Sequence, residues 1–276
     1  MTPTPIRPVL KWVGGKSRSL PHILGEFPET IGTYYEPFIG GAAVFFALAA
    51  TKRFKRAVLS DRNPALIDVY RALKKDPNTV IRVLQKYRYE RDEYYRIRAL
   101  DPNELDLHER AARVIYLNKT GYNGLYRVNS RGEFNVPFGR YKNPKFCDEA
   151  TLRTAARALK NVHLHVDDFE TTSGDARRGD AVYFDPPYHP LSSTANFTAY
   201  HKVQFGEKEH ERLGKVFSKL AARGVAVVLS NSDTPFTRRV FSGFPMKKIA
   251  VSRPINSKAS GRGEVLEILV TSHPRQ

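Results

Sequence analysis

"TYYEPFIGGAAVFFALAATKRFKRAVLSD", from Thr33 to Asp61, is the stretch that decides the fold. Its first part, "TYYEPF" (33–38), is aromatic and reads as a strand. "GGAAVFFALAA" (40–50) opens on glycine and stays apolar long enough for a helix, and "RAVLSD" (56–61) is a second strand ending on an acid. Together these make a βαβ unit. After a helix at about 148–160, strands return at "NVHLHV" (161–166), "DAVYFD" (180–185), "GVAVVLS" (224–230) and "EVLEILV" (264–270), with a helix over 207–223. Strands alternating with helices predict an α/β fold with a mostly parallel sheet.

A different pattern interrupts that alternation. From about 65 to 118 the segments are charged and helical: "NPALIDVYRALKK", an Arg- and Tyr-rich stretch over 82–98, and "ERAARVIYLN". Residues 121 to 144, "GYNGLYRVNSRGEFNVPFGRYKNP", put Gly, Asn and Pro between short β-prone runs, with "NSRGE" as a hairpin turn. The expected division is a sheet domain from 1–64 and 151–276, with 65–150 inserted into it.

Composition narrows the partners. The chain has 276 residues, 41% hydrophobic and 11% aromatic, enough for a sizeable core. Lys and Arg number 45 against 28 Asp and Glu, a formal charge of +17, which points to a polyanion, against the alternative that excess charge only aids solubility. Cys147 is the single cysteine, so neither a disulfide framework nor a thiolate metal cluster is expected and a reducing cytoplasm fits. The N-terminus shows no signal-like run and no segment approaches the length of a membrane span, so a soluble intracellular protein is expected, with no membrane partner and no obligatory protein partner.

Three short stretches carry chemistry. "KWVGGKS" (11–17) ends like a phosphate-binding P-loop, but Leu10 stands where that loop needs glycine. Two other readings stay open: a plain surface turn, or a loop in which Trp12 covers an aromatic ligand and Lys16 meets a carboxylate or phosphate. "EPFIGGA" (36–42) has the strand, glycine and helix order that brings backbone N–H groups close to a ligand. Asp61 lies about 20 residues further on, where related folds bond a ribose hydroxyl. An ordinary helix start is the competing reading. The spacing lacks a dinucleotide fingerprint, so an adenosine ligand without pyrophosphate is the more natural occupant.

"DPPY" (185–188) ends a buried strand on a carboxylate, two prolines and a ring. The exocyclic amine of a nucleobase is a poor nucleophile because its lone pair is delocalised into the ring. Two acceptors on its protons, the Asp185 carboxylate and the Pro186 carbonyl, would draw it towards tetrahedral geometry while Tyr188 stacks on the base. The base must leave the duplex to reach them. A plain turn is the alternative for these four residues taken alone.

With those residues in view, the chain resembles the Dam-type DNA adenine methyltransferases. The segments that carry the resemblance are "LKWVGGK", "YEPFIGG", "LSDRNPALI", "NKTGYNGLYRVNSRGEFNVPFGRY", "DPPYHPLSSTANFTAY" and "LSNSD", in that order from about Leu10 to Leu269. The resemblance implies a Rossmann-like S-adenosylmethionine-dependent methyltransferase sheet with an inserted, mainly helical target-recognition domain carrying a β-hairpin. It implies that Trp12, Lys16, Phe38, Gly40, Asp61, Asp168, Phe169 and Asp185 hold S-adenosylmethionine, and that Asp185, Pro186 and Tyr188 hold a flipped adenine. Double-stranded DNA is the implied partner, with Tyr122 wedging into the stack, Asn123 supporting it, Arg127 reading a guanine, Lys11 contacting an outer base and Pro137 a thymine methyl. The implied site is GATC. No metal is needed. One departure stands out: the family loop usually reads glycine, any residue, glycine, and here Ala42 takes the second glycine's place.

Two rival functions remain at this level. An RNA or guanine-amino methyltransferase would use a related turn, though the long insert argues against it. A non-catalytic DNA-binding protein could keep the fold, though intact Asp185 and Tyr188 count against that.

Overall fold

The computed structural model describes residues 5–191, 205–252 and 264–272. Seven strands among them form one sheet: β1 (Ile31–Glu36), β2 (Phe54–Asp61), β3 (Val162–Val166), β4 (Ala181–Phe184), β5 (Ala226–Ser232), β6 (Met246–Ser252) and β7 (Glu264–Thr271), in the order β3-β2-β1-β4-β5-β7-β6. β1 is parallel to β2 and β4, and β4 to β5; β7 runs antiparallel to both β5 and β6. The sheet is therefore mixed at one edge. That edge strand, β6, has no counterpart in the sequence reading, because in "MKKIAVS" two lysines follow Met246 and break any continuous apolar run. Its pairing with β7 over seven registered positions, Met246↔Val270 to Ser252↔Glu264, makes it a strand.

Local chemistry sets where elements start and stop. β1 ends at Glu36, before the expected 38, because Pro37 has no N–H to give the ladder. The helix Pro64–Lys75 starts on an Asn63 cap that accepts the Ala65 N–H, and its buried Leu66, Ile67, Tyr70 and Leu73 form one apolar stripe. The helix Leu107–Thr120 begins with a reciprocal box in which Asp106 accepts the Glu109 N–H and Glu109 accepts that of Asp106. Within the expected hairpin over 121–144 the two arms run antiparallel, paired at the bridges Gly121↔Phe138 and Val128↔Phe134 and joined by backbone bonds such as Asn135 N–H to the Arg127 carbonyl at 3.0 Å. Its turn forms at "NSRGE": the Asn129 side chain accepts the N–H groups of Arg131 and Glu133, and Gly132 takes a left-handed φ of 84°.

As far as they are described, the residues gather into two compact units. One comprises Met1–Gly15, Ile39–Lys52 and Ser60–Val166. Its core includes Phe45, Phe46, Tyr70, Tyr94 and Tyr116, all fully buried. The other comprises Lys16–Phe38, Arg53–Leu59 and Asp167–Gln276. There Val182, Phe184, Val227 and Leu229 of the sheet meet Leu213, Phe217 and Leu220 of the helix Glu207–Ala222. Among the described residues no helix is long and apolar enough to cross a membrane. "STANFTAY", the end of one quoted motif, lies outside them.

Candidate active site and nucleic-acid interface

The second unit contains the turn Asp185–Tyr188. All four residues of β4 are buried, and the prolines that follow end it on Asp185. The strand order changes direction between β1 and β4, so the carboxyl ends of these strands lie at a topological switch point, where open α/β sheets bind ligands. The Asp185 Oδ2 atom lies 2.7 Å from the buried Lys16 ammonium, and Ser230 Oγ donates to Oδ1 at 3.1 Å. Since the Ser230 proton goes to Asp185, the Tyr183 hydroxyl donates to Ser230, at 2.7 Å. Burial raises the Asp185 carboxyl above its usual range, and Lys16 and Ser230 pull it back.

Tyr188 belongs to the same cluster. The Lys16 nitrogen sits 4.9 Å from its ring centroid, and its hydroxyl donates to Glu267 Oε2 at 3.0 Å. Burial, then the carboxylates of Asp185 and Glu267, hold the Tyr188 hydroxyl well above its ordinary value, so it stays a donor. The turn is also fixed through its backbone, for the His189 N–H donates to Asn231 Oδ1 at 3.0 Å.

Phe38, Asp168 and Phe169 form a second group in this unit. Phe38 stacks on Phe169 at 5.6 Å and meets Phe184 edge-on at 6.4 Å. Asp168 caps the short helix Phe169–Ser173 through the Glu170 N–H, and both its oxygens are gripped by Arg212 at 2.8 and 2.7 Å. The same guanidinium lies 4.0 Å from the Phe169 centroid, and hydrogen bonds to Asp168 and Glu209 raise its pKa further. Arg212 thus locks the acid and the ring that the sequence singled out.

In the first unit, Trp12, Gly40 and Asp61 come together. Gly40 has φ 43°, and a Cβ on it would lie 2.7 Å from the Trp12 indole. Its N–H donates to Asp61 Oδ2 at 3.3 Å and its carbonyl accepts from the Tyr70 hydroxyl at 2.8 Å. Asp61 Oδ1 also accepts the Asn63 N–H at 3.0 Å. Ala42, which stands where the family pattern has glycine, caps the helix Ala43–Ala50 in the left-handed region at φ 58°, ψ 30°.

Lys11, Tyr122, Asn123, Arg127 and Pro137 lie in the same unit. The Asn118 side chain receives the Lys11 N–H and donates to the carbonyls of Lys11 and Gly124, clipping the N-terminal segment to the turn that follows the helix. The Lys11 side chain covers Gly124 so closely that a Cβ there would fall 2.5 Å from its Cδ, and its ammonium lies 4.3 Å over the Tyr141 ring. Tyr122 is 53% exposed, and its N–H bonds to the Pro137 carbonyl at 2.9 Å. Asn123 has φ 54°, and the exposed Arg127 guanidinium holds Asn135 Oδ1 at 2.7 Å.

Residues to which sequence reasoning gave no role are Asn118, Arg212, Ser230 and Glu267. Ser230 lies within the quoted "LSNSD", and Glu267 shows as a lone acid in the apolar run "EVLEILV". Asn118 opens the quoted "NKTGYNGLYR" segment, and Arg212 carries no local signal.

One unit thus holds a glycine turn beside Asp61, and the other a rigid carboxylate turn backed by a lysine. Residues 12–255 match the family model of the D12 class N6 adenine-specific DNA methyltransferases, and the chain belongs to that family. It is 42% identical over 276 residues to the type II methyltransferase M1.LlaDCHI of Lactococcus lactis subsp. cremoris, covering 97% of this chain and 96% of that protein. The type II methyltransferase M.MjaIII of Methanocaldococcus jannaschii is 40% identical, over 97% and 99% of the two chains. The DNA adenine methylase of Escherichia coli K12 is 36% identical, over 97% and 96%. The chain is therefore an S-adenosylmethionine-dependent, adenine-specific DNA methyltransferase. Both rival sequence readings fall with that membership.

The residues present fit the cofactor. Gly40 leaves a backbone cradle against an indole face that any Cβ would fill, and Asp61 beside it offers acceptors suited to vicinal hydroxyls.

Proposed function

We propose that the enzyme methylates the exocyclic amine of an adenine flipped out of double-stranded DNA, within GATC, in the cytoplasm of a prokaryotic or phage-infected cell. The observation that carries this reading is the Lys16 nitrogen, 2.7 Å from Asp185 Oδ2 and 4.9 Å from the Tyr188 centroid: a nitrogen donor fits between the acceptor and the ring. Asp185 accepts a hydrogen bond from one N–H of the target amine and the Pro186 carbonyl one from the other, which frees the lone pair for in-line attack, while Tyr188 stacks on the base. S-adenosylmethionine, when bound, supplies the activated methyl group.

For the cofactor, Trp12 and Lys16 help hold the molecule, Phe38 and Gly40 line its methionine end, Asp61 takes the ribose, and Asp168 and Phe169 meet the adenine. For DNA, residues 65–150 serve as the target-recognition domain of a catalytic domain formed by 1–64 and 151–276. Tyr122 fills the space left by the flipped base, Asn123 supports it, Arg127 reads guanine, Lys11 contacts an outer base and Pro137 meets a thymine methyl. The exposure of Tyr122 and its bond to Pro137, with Lys11 held against Gly124, support these roles. Methylating unmodified genomic DNA and mapping the modified adenines tests substrate and sequence together. Modified adenines confined to GATC are expected, and a different consensus overturns the assignment of the site.

A further inference from the structure

The buried carboxylate of Glu267 takes no part in the chemistry described so far. It lies on β7, 6% exposed, followed by the fully buried Ile268, Leu269 and Val270. A carboxylate in such a setting is costly unless it is paired, and it accepts the Tyr188 hydroxyl at 3.0 Å.

That bond completes a set of ties on the turn. Asp185 is held by Ser230 and the His189 N–H by Asn231, both on β5, and Pro186 and Pro187 stiffen the backbone between them. These contacts fix the ends of the turn and leave the two side-chain torsions of Tyr188 to be set. A hydroxyl anchored on a different strand sets both, because moving the far end of the ring breaks the bond. We propose that Glu267 is a positioning residue that holds the Tyr188 ring at the angle required for stacking on the target base. This rests on the reading of Tyr188 as the base platform. A platform fixed in advance does not have to be ordered when the base arrives, so its contribution falls on the methyl-transfer step and not on cofactor binding.

The test is a double-mutant cycle on single-turnover methylation of unmodified genomic DNA at saturating S-adenosylmethionine, with the cofactor KM and thermal unfolding measured alongside. Glu267→Leu is expected to lower the rate by about tenfold and leave the cofactor KM within about twofold. Glu267→Gln keeps an acceptor for the hydroxyl and should stay within about threefold of wild type. Tyr188→Phe removes the same bond without touching the carboxylate and should match Glu267→Leu, and the double variant should be no slower than either single one.

Losses that multiply in the double variant, or a Glu267→Gln variant as slow as Glu267→Leu, overturn the proposal. A wild-type rate for Tyr188→Phe overturns it even if the Glu267 variants fail to fold. Tyr188→Ala separates the two levels: full activity in a folded protein removes the platform reading and this proposal with it. A slow Tyr188→Ala beside an uncoupled Glu267 removes only the proposal.

Discussion

Lys16 and Asp185 meet at 2.7 Å although they lie far apart in the sequence, and the ammonium opposes the effect of burial on the carboxylate that follows β4. Burial raises that carboxyl and Lys16 lowers it. If Asp185 accepts from the target amine as proposed, methyl transfer needs its ionised form, so activity is present above the Asp185 pKa and lost as pH falls through it. The acid limb of the wild-type single-turnover rate should therefore lie above the ordinary carboxylate range. Lys16→Met removes the opposing charge, and at saturating cofactor its acid limb should move to still higher pH. Coincident profiles for the two proteins would show that Lys16 does not govern the charge on Asp185.

Asp185→Ala should lower turnover by ~100-fold or more, since it removes one placed electrostatic partner of the nucleophile. DNA affinity should change little. A variant that keeps more than about one tenth of wild-type turnover would remove Asp185 from the catalytic role.

The two left-handed residues of the glycine turn should respond differently. For Ala42→Gly, relief of the left-handed backbone, about 1–2 kcal/mol, is set against about 0.5–1 kcal/mol for glycine entropy and about 0.8 kcal/mol for a buried methyl. These nearly cancel, so stability should shift by under about 1 kcal/mol. Gly40→Ala has no such offset: it puts a Cβ 2.7 Å from the Trp12 indole at a φ of 43° and should cost roughly 1–2 kcal/mol or more, with a raised cofactor KM. Denaturant titrations of both variants measure the contrast.

Arg127 and Tyr122 should separate specificity from flipping. A guanidinium making two bonds to a guanine edge discriminates by roughly 1–3 kcal/mol, so Arg127→Ala should narrow the rate gap between GATC and sites altered at that guanine. Tyr122→Ala should slow both kinds of site by similar factors and weaken the fluorescence of 2-aminopurine at the target position. If both residues only support the turn, the two variants will keep the wild-type ratio of rates.

Affinity for DNA should fall steeply with added salt, because a chain of charge +17 releases condensed counterions as it neutralises phosphates. The slope of log K against log salt is the measurement, and a flat line removes the polyanion argument.

The sequence disclosed features written in consecutive residues. A glycine between an aromatic strand and an apolar helix can be read as a βαβ unit, and two prolines after a buried strand as a stiff turn. Contacts between distant residues left no such trace. Nothing near Lys16 points to Asp185, and nothing near Tyr188 points to Glu267, because periodicity reports which face is buried and not what it is buried against. β6 escaped for a related reason: its lysines suit a strand on the sheet edge, where only one side is paired, and only the register with β7 makes it a strand. The hairpin was legible because its turn residues are consecutive, and antiparallel bridges and cross-strand backbone bonds join its two arms.

The Asn118 clip has a thermodynamic consequence. One amide sets the position of Lys11, and Trp12, the next residue along, lies against Gly40. If Lys11 contacts DNA and Trp12 the cofactor, as proposed, the two ligands share one short lever. Whatever factor bound cofactor then adds to the affinity for DNA, bound DNA must return to the cofactor by the same factor.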